Sequence, residues 1–274
     1  MKLECFQPIG VFKVRGAYNK ISQTSKADVV AASSGNHGIA VAYASRLLGK
    51  RCTIVVPETI VKEKLGKMKE YGGNVVKFGR YSDERELKAK SIAEESKAAF
   101  IHPFNDRQVI AGQGTAGLEI AEQLSKFDSV IVPVGGGGLI SGIATAIKSL
   151  KPSVKVFGAE PEGAAKLGAA LKAGHPVRLE HPSSVADGLI TRAIGELPFG
   201  ICRSLVDGAF AASDDQIMSA MRLLAHEAHI FAEPSAAVPL AVLLSERENT
   251  WLGQRVVLLV SGGNISLNLL KKIL

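Results

Sequence analysis

The feature that most constrains this chain is a repeated pairing of a short β-branched run with a longer stretch whose apolar residues recur at helical spacing. The runs are Val29 to Ala32, Cys52 to Val56, Asn74 to Phe78, Ala99 to His102, Ser129 to Val134, Val154 to Ala159 and Val256 to Val260. Strands that alternate with helices pair in parallel through crossovers, and parallel strands are buried on both faces. The pattern therefore predicts a doubly wound α/β protein with mainly parallel sheet and helices on both faces. Helix starts are legible as well. Asp83 with Glu86, and Ser213 with Gln216, have the spacing of a capping box. No repeat of solenoid period and no low-complexity linker divides the chain, so pattern alone sets no domain boundary.

Composition narrows the functional classes. Hydrophobic residues make up 46% and aromatics 5%, the balance of an aliphatic α/β interior rather than of a disordered chain. Cys5, Cys52 and Cys202 are widely spaced, with no CxxC pair and no His/Cys cluster, which predicts a reducing, cytoplasmic setting and no metal site. The opening MKLECFQPIG lacks the apolar core of a signal peptide. The longest apolar stretch, Val130 to Ile147, is broken by glycines and reads as a strand entering a helix, so no membrane span is expected. The net charge of +7 is spread among acids, as in KEKLGKMKE and DERELKAK, without a basic stripe for nucleic acid. A mildly basic protein favours an anionic cofactor and a carboxylate substrate.

Three strand ends carry candidate chemistry. In VPVGGGGLISGIATAI the run Ser129 to Val134 meets Gly135, Gly136, Gly137 and Gly138 before a helix from about Leu139. Glycines admit close backbone approach, and helix-start N–H groups attract anions, which makes a phosphate cradle. The same turn can serve a dinucleotide, with Glu160 as the ribose-binding acid, although Ser141 departs from that fingerprint. In AASSGNHGIAVAYAS, the loop Ser33-Ser34-Gly35-Asn36-His37-Gly38 opens another helix. It offers Ser, Asn and backbone N–H groups to a carboxylate, and Asn36 can donate to a phenolate oxygen; the plainer reading is helix capping by Ser33 or Ser34. In VVLLVSGGNISL, the run Val256 to Val260 ends in Ser261-Gly262-Gly263-Asn264. Ligands of open parallel sheets collect beyond carboxyl ends of strands, so one shared pocket is the economical inference. Lys13, in QPIGVFKVRGA, stands between Phe12 and Val14, where an exposed ammonium is out of place and a Schiff-base amine is not.

Taken in order, FKVRGA, SSGNHG, AGQGTAGLEI, GGGGL, EPSAAVPLA and SGGN resemble the motifs of fold-type-II pyridoxal-phosphate (PLP) enzymes, in the threonine/serine dehydratase and serine racemase branch. The resemblance spans nearly the whole chain. It implies two doubly wound domains with the cofactor in the cleft: a large PLP-binding domain of residues 1–23 and 107–274, and a small one of residues 24–106 carrying the asparagine loop. It implies that Lys13 holds PLP, Phe12 packs on its ring, Asn36 bonds the phenolic oxygen, Gly135 to Gly138 with Leu139 hold the phosphate, and Ser261 faces the pyridine nitrogen. Ser33, Asn36 and His37 become the substrate-carboxylate grip, and Ser34 resembles the second-face base of racemases. The activity implied is β-elimination of ammonia from L-threonine or L-serine, in a homodimer, with isoleucine biosynthesis as its setting. Serine racemase, a Rossmann nucleotide binder and an inactive PLP-fold binding protein are the alternatives.

The chain departs from that branch in four places. Only twelve residues precede Lys13, fewer than the family's habit; Val11 replaces a usual serine; and no regulatory region follows Leu274, so isoleucine feedback through one is not expected. Racemases of the branch bind a divalent ion through a Glu, a carbonyl four residues on and an Asp two beyond. That spacing falls here on Glu160, Ala164 and Lys166. A charged lysine cannot ligate, so no metal is expected there, with the Lys166 ammonium either standing in for the ion or pointing to solvent.

Overall fold

A computed structural model of the chain describes residues 1–79, 82–246 and 253–273. Its backbone forms two all-parallel sheets in two compact units. One unit comprises residues 1–6, 10–12 and 113–274. Its sheet runs β1 (Lys2–Leu3), β9 (Val256–Val260), β6 (Ser129–Pro133), β7 (Lys155–Pro161), β8 (Gly208–Ala212). Residues along the central strands alternate between two cores. Val130, Val132, Val257 and Leu259 face a cluster with Leu139, Ile140, Ile143 and Ile147 of α6 (Gly138–Leu150). Ile131, Leu258 and Val260 face the opposite cluster, built with α9 (Asp214–Glu227) and α10 (Pro234–Ser245). That alternation is the period of two that puts helices on both faces of a sheet.

The other unit comprises residues 7–9 and 13–112, with sheet order β4 (Asn74–Lys77), β3 (Arg51–Val56), β2 (Asp28–Ala32), β5 (Ala99–Phe100). Val30 and Val55 pack on Ala89 and Ala93 of α4 (Ser82–Glu95). The helix α2 (Asn36–Leu47) buries Ile39, Ala40, Val41 and Ala42, and α1 (Lys13–Ser22) packs against it. This unit thus runs from Lys13 to Gly112 rather than over the expected 24–106, because α1 buries Val14, Ala17 and Ile21 within it.

The sheet class matches the expectation, with two strands missed. β1 has only two residues, and β8 reads GAFAA, without the β-branched residues that mark a strand. Ser213 and Gln216 form the expected capping box, with Ser213 Oγ accepting from Gln216 N at 3.3 Å and Gln216 Oε1 accepting from Ser213 N at 2.8 Å. Asp83 is no cap, since α4 already begins at Ser82. Among the described residues, no helix is long and apolar enough to cross a membrane, and no three His, Cys, Asp or Glu side chains gather as a metal site.

Candidate active site

β6 delivers the chain through Val134 into the four glycines, and α6 starts at Gly138. Gly137 caps that helix at φ 91°, in the left-handed region where a side chain is strained. An added Cβ there would lie 2.8 Å from Ile194 Cγ1 and Pro198 Cβ, and one on Gly135 would lie 3.1 Å from Gly188 O. Backbone contacts brace the loop: Gly195 N donates to Gly136 O at 3.1 Å, and Ser141 N to Gly137 O at 3.0 Å. Gly188 is fixed in turn by donating its N–H to Ser235 Oγ at 3.0 Å. The first N–H groups of α6 have no intrahelical acceptor, and the dipole adds positive potential, so the loop is a backbone anion cradle.

In the same unit, residues 10–12 lie along the loop that follows β9. Phe12 N donates to Ser261 O at 3.0 Å, Val11 bridges antiparallel to Gly262, and Gly263 N donates to Gly10 O at 2.8 Å. Val11, where the branch usually has serine, is fully buried, and Phe12 packs on the α6 side of the sheet core. Ser261 is 3% exposed, yet its hydroxyl bonds to no described residue.

Glu160, the would-be ribose acid, is 1% exposed and committed elsewhere. Its Oε1 accepts from Leu167 N at 2.9 Å and its Oε2 from Gly168 N at 3.0 Å, at the start of α7 (Lys166–Ala173). That removes the nucleotide-binding role considered for it. Lys166 does not point to solvent: it is fully buried, with Nζ 2.6 Å from Ala164 O, 3.1 Å from Val134 O and 3.3 Å from Glu160 Oε1.

In the unit built on β2, Lys13 is the first residue of α1, and its Nζ donates to Pro103 O at 2.9 Å. Lys13 follows Phe12 directly in the chain. The loop after β2 is organised by Ser33, whose Oγ accepts from Gly35 N at 3.1 Å and Gly38 N at 2.8 Å and donates to Gly35 O. Capping thus falls to Ser33, while Ser34 is exposed and its hydroxyl bonds to no described residue. Asn36 opens α2 and is partly buried. His37 is buried, with Nε2 at 2.9 Å from Ile101 O, and burial, helped by the Lys13 charge, pushes its pKa down to about 3. A carbonyl only accepts, so the proton sits on Nε2 and the neutral ring's Nδ1 has none to donate to an anion, a role that falls to the His37 backbone N–H. His102 shapes the neighbouring turn, with Nδ1 accepting from Asn105 N at 2.8 Å and Phe104 N at 3.2 Å. Lys64, unmarked in the sequence reading, sets its Nζ 3.2 Å from where a Gly35 Cβ would be.

The sequence matches the family described as pyridoxal-phosphate dependent enzyme over residues 1–262. The chain belongs to that family. It is 42% identical to L-threonine ammonia-lyase of Thermotoga maritima over 278 residues, covering 100% of this chain and 69% of the relative. With L-threo-3-hydroxyaspartate ammonia-lyase of Saccharomyces cerevisiae it shares 38% over 270 residues, 97% of this chain and 82% of the other. The crystal structure of serine racemase from Dictyostelium discoideum superposes with a TM-score of 0.91 at 41% identity, covering 97% of this chain and 87% of that one. The fold is therefore that of fold-type-II PLP enzymes, the cofactor is pyridoxal 5'-phosphate, and the chain sits in the ammonia-lyase and racemase branch. The residues present suit that cofactor: the free N–H groups at the Gly137 cap of α6 suit a phosphate, and the Ser261 hydroxyl is of the kind that can donate to an unprotonated ring nitrogen.

Proposed function

We propose that this protein is a PLP-dependent ammonia-lyase that converts L-threonine or L-serine to the 2-oxo acid and ammonia. The observation that carries the reading is Ser261, a serine and not an aspartate, in the loop after β9, whose carbonyl accepts from Phe12 N beside Lys13. A serine, unlike an aspartate, does not keep a pyridine nitrogen protonated. That moderates electron withdrawal and favours loss of the β-substituent over transamination. Bound PLP supplies the electron sink for the α-carbon.

The remaining roles belong to side chains and amides. Lys13 would hold the cofactor through its amine, and the same Nζ, when free, would take the α-proton of the substrate. Phe12 would pack on the ring, Gly135 to Gly138 and Leu139 would hold the phosphate, and Asn36 would donate to the phenolic oxygen. Asn36 and the His37 backbone N–H would receive the substrate carboxylate, while Ser33, expected beside them, keeps their loop in shape through its own hydrogen bonds. Racemisation is the second reading, and it is favoured by the exposed, unengaged Ser34 hydroxyl, which can deliver a proton to the opposite face.

Borohydride reduction tests the assignment. The protein is expected to be yellow, to lose that absorbance on reduction, and to carry the cofactor mass on the peptide containing Lys13. Assays with L-threonine, L-serine and L-threo-3-hydroxyaspartate then rank the substrates, and D-serine formation measures racemisation. Cofactor mass on another lysine, or on none, sinks the reading.

A further inference from the structure

Beneath the glycine loop lies a cation that the proposed chemistry does not use. Lys166 is fully enclosed, and its ammonium meets Ala164 O at 2.6 Å, Val134 O at 3.1 Å and Glu160 Oε1 at 3.3 Å. An ammonium has three donors and no acceptor, so these three oxygens satisfy it completely. The carboxylate is equally committed, through Leu167 N and Gly168 N. Burial lowers the Lys166 pKa while the Glu160 charge opposes it. Two strands end on this cluster. Val134 is the residue before Gly135, its N–H donates to Ala159 O at 2.9 Å, and Glu160 comes next on β7. A buried ion pair is weak ground for stability, because apolar replacements of both partners often serve as well. Its placement is the informative part: one of its three bonds goes to the last carbonyl before the glycines.

We propose that Lys166 is a positioning residue, a covalently tethered cation that pins the carboxyl end of β6 and thereby sets the glycine loop for the cofactor phosphate. The inference rests on the reading that this loop binds the phosphate of PLP. The carbonyl of Val134 cannot turn outward while Nζ holds it, so the peptide plane that leads into Gly135 is fixed. An ion drawn from solution would hold the same oxygens only in proportion to its concentration; a lysine holds them always.

The experiment uses the full chain stripped of PLP and retitrated, with the dissociation constant read from absorbance and amide exchange followed over residues 135–139. Lys166→Met is expected to weaken PLP binding by about ten-fold or more, the scale of one hydrogen bond to a charged group, and to speed exchange in the loop. For Lys166→Ala, tens of millimolar methylammonium recovers much of the affinity, because it carries N–H donors into the vacated space; tetramethylammonium, with none, does not. Since a lone Glu160 charge could prevent folding, Glu160→Gln combined with Lys166→Met is the deciding variant. It leaves no buried unpaired charge, is expected to fold, and still binds PLP about ten-fold more weakly. A folded double variant with PLP affinity within two-fold of wild type, or unchanged exchange over residues 135–139, overturns the proposal. Wild-type protein that binds no PLP would instead overturn the functional reading beneath it.

Discussion

The loops after β6 and β2 follow one plan, strand to helix N-terminus, yet they are held by different means. Beyond β6 and Val134 come four glycines, walled by Ile194, Pro198 and the Gly188 carbonyl, with a left-handed residue at the cap. Beyond β2 a side chain does the organising: Ser33 collects two backbone N–H groups, and the cap residue Gly35 sits at φ −173°, extended backbone open to any residue. The first loop is a backbone mould that has no side chains of its own to move. The second presents Ser34, Asn36 and, nearby, the flexible end of Lys64, and it can adjust. A mould suits a group that never changes, such as a cofactor phosphate, and an adjustable loop suits a substrate whose side chain varies.

The largest expected effect separates the two loops from the chemistry. Lys13→Ala removes the proposed Schiff-base partner and proton acceptor together, so release of 2-oxo acid should fall by about 10³-fold or more. Folding should survive, since Lys13 is only partly buried, and the circular-dichroism melt checks this. If the folded variant keeps a tenth of wild-type turnover, neither loop serves the reaction proposed.

Paired alanine substitutions strike at the comparison itself. Gly137→Ala adds a Cβ at 2.8 Å from two core side chains at φ 91° and should cost about 3 kcal/mol in stability, with PLP affinity falling alongside. Gly35→Ala meets only the Lys64 side chain at 3.2 Å, whose end can swing away, and should cost under about 1 kcal/mol. Equal losses in urea denaturation would erase the distinction between mould and adjustable loop.

Acid sharpens it from the other side. Burial, first of all, pushes His37 down to about 3 and His102 to about 4, both in the unit built on β2. Their folded values lie below the unfolded one near 6.5, so the unfolded chain takes up protons first. Stability is complete above that value and is lost as pH falls from it toward 4 and 3. For His37 alone the loss reaches roughly 2 kcal/mol by pH 5. Urea midpoints between pH 7 and 5 measure it, and His37→Gln should flatten the slope; an unaltered slope would mean that His37 titrates normally.

Much of this difference was legible in the residues. Four glycines in a row after an apolar strand can only mean close approach or unusual φ, because glycine identity encodes backbone freedom. The rest depends on packing. Which of Ser33 and Ser34 caps the helix turns on a rotation of the chain after β2, and either would satisfy the spacing. Lys64 comes within reach of Gly35 only because α3 (Lys62–Glu70) packs on α2, a contact between segments distant in sequence. α1 was read into the other unit because a motif shows which chemistry a helix carries but not which neighbour buries it. Lys166 could be read as a departure from a metal-binding spacing, but the ring of three oxygens around it exists only after β6, β7 and α7 have met.

A smaller effect tests the adjustable loop. Ser34→Ala should leave dehydration of L-threonine within about two-fold of wild type, because the exposed hydroxyl holds neither the loop nor the face from which Lys13 acts, while abolishing any interconversion of L- and D-serine. Dehydration depends on Lys13 at one face, whereas racemisation needs a proton delivered from the other. Equal loss of both activities, read by oxo-acid release and chiral chromatography, would return Ser34 to a binding role.

The smallest expected effect is none, and it follows from the floor of the mould. A divalent ion seeks carboxylate and carbonyl oxygens, and Glu160, Ala164 and Val134 offer them in one place, but Lys166 Nζ already donates one bond to each. An incoming ion would have to displace a buried, tethered ammonium, while Leu167 N and Gly168 N compete for the same carboxylate. Turnover and PLP affinity should therefore be unchanged after exhaustive treatment with chelator, and added magnesium or calcium should move neither. If chelator-treated wild-type protein loses activity and magnesium or calcium restores it, an ion acts within this enzyme despite the lysine. The rigidity ascribed to the loop after β6 would then depend on solution conditions, and the contrast with the loop after β2 would lose its physical basis.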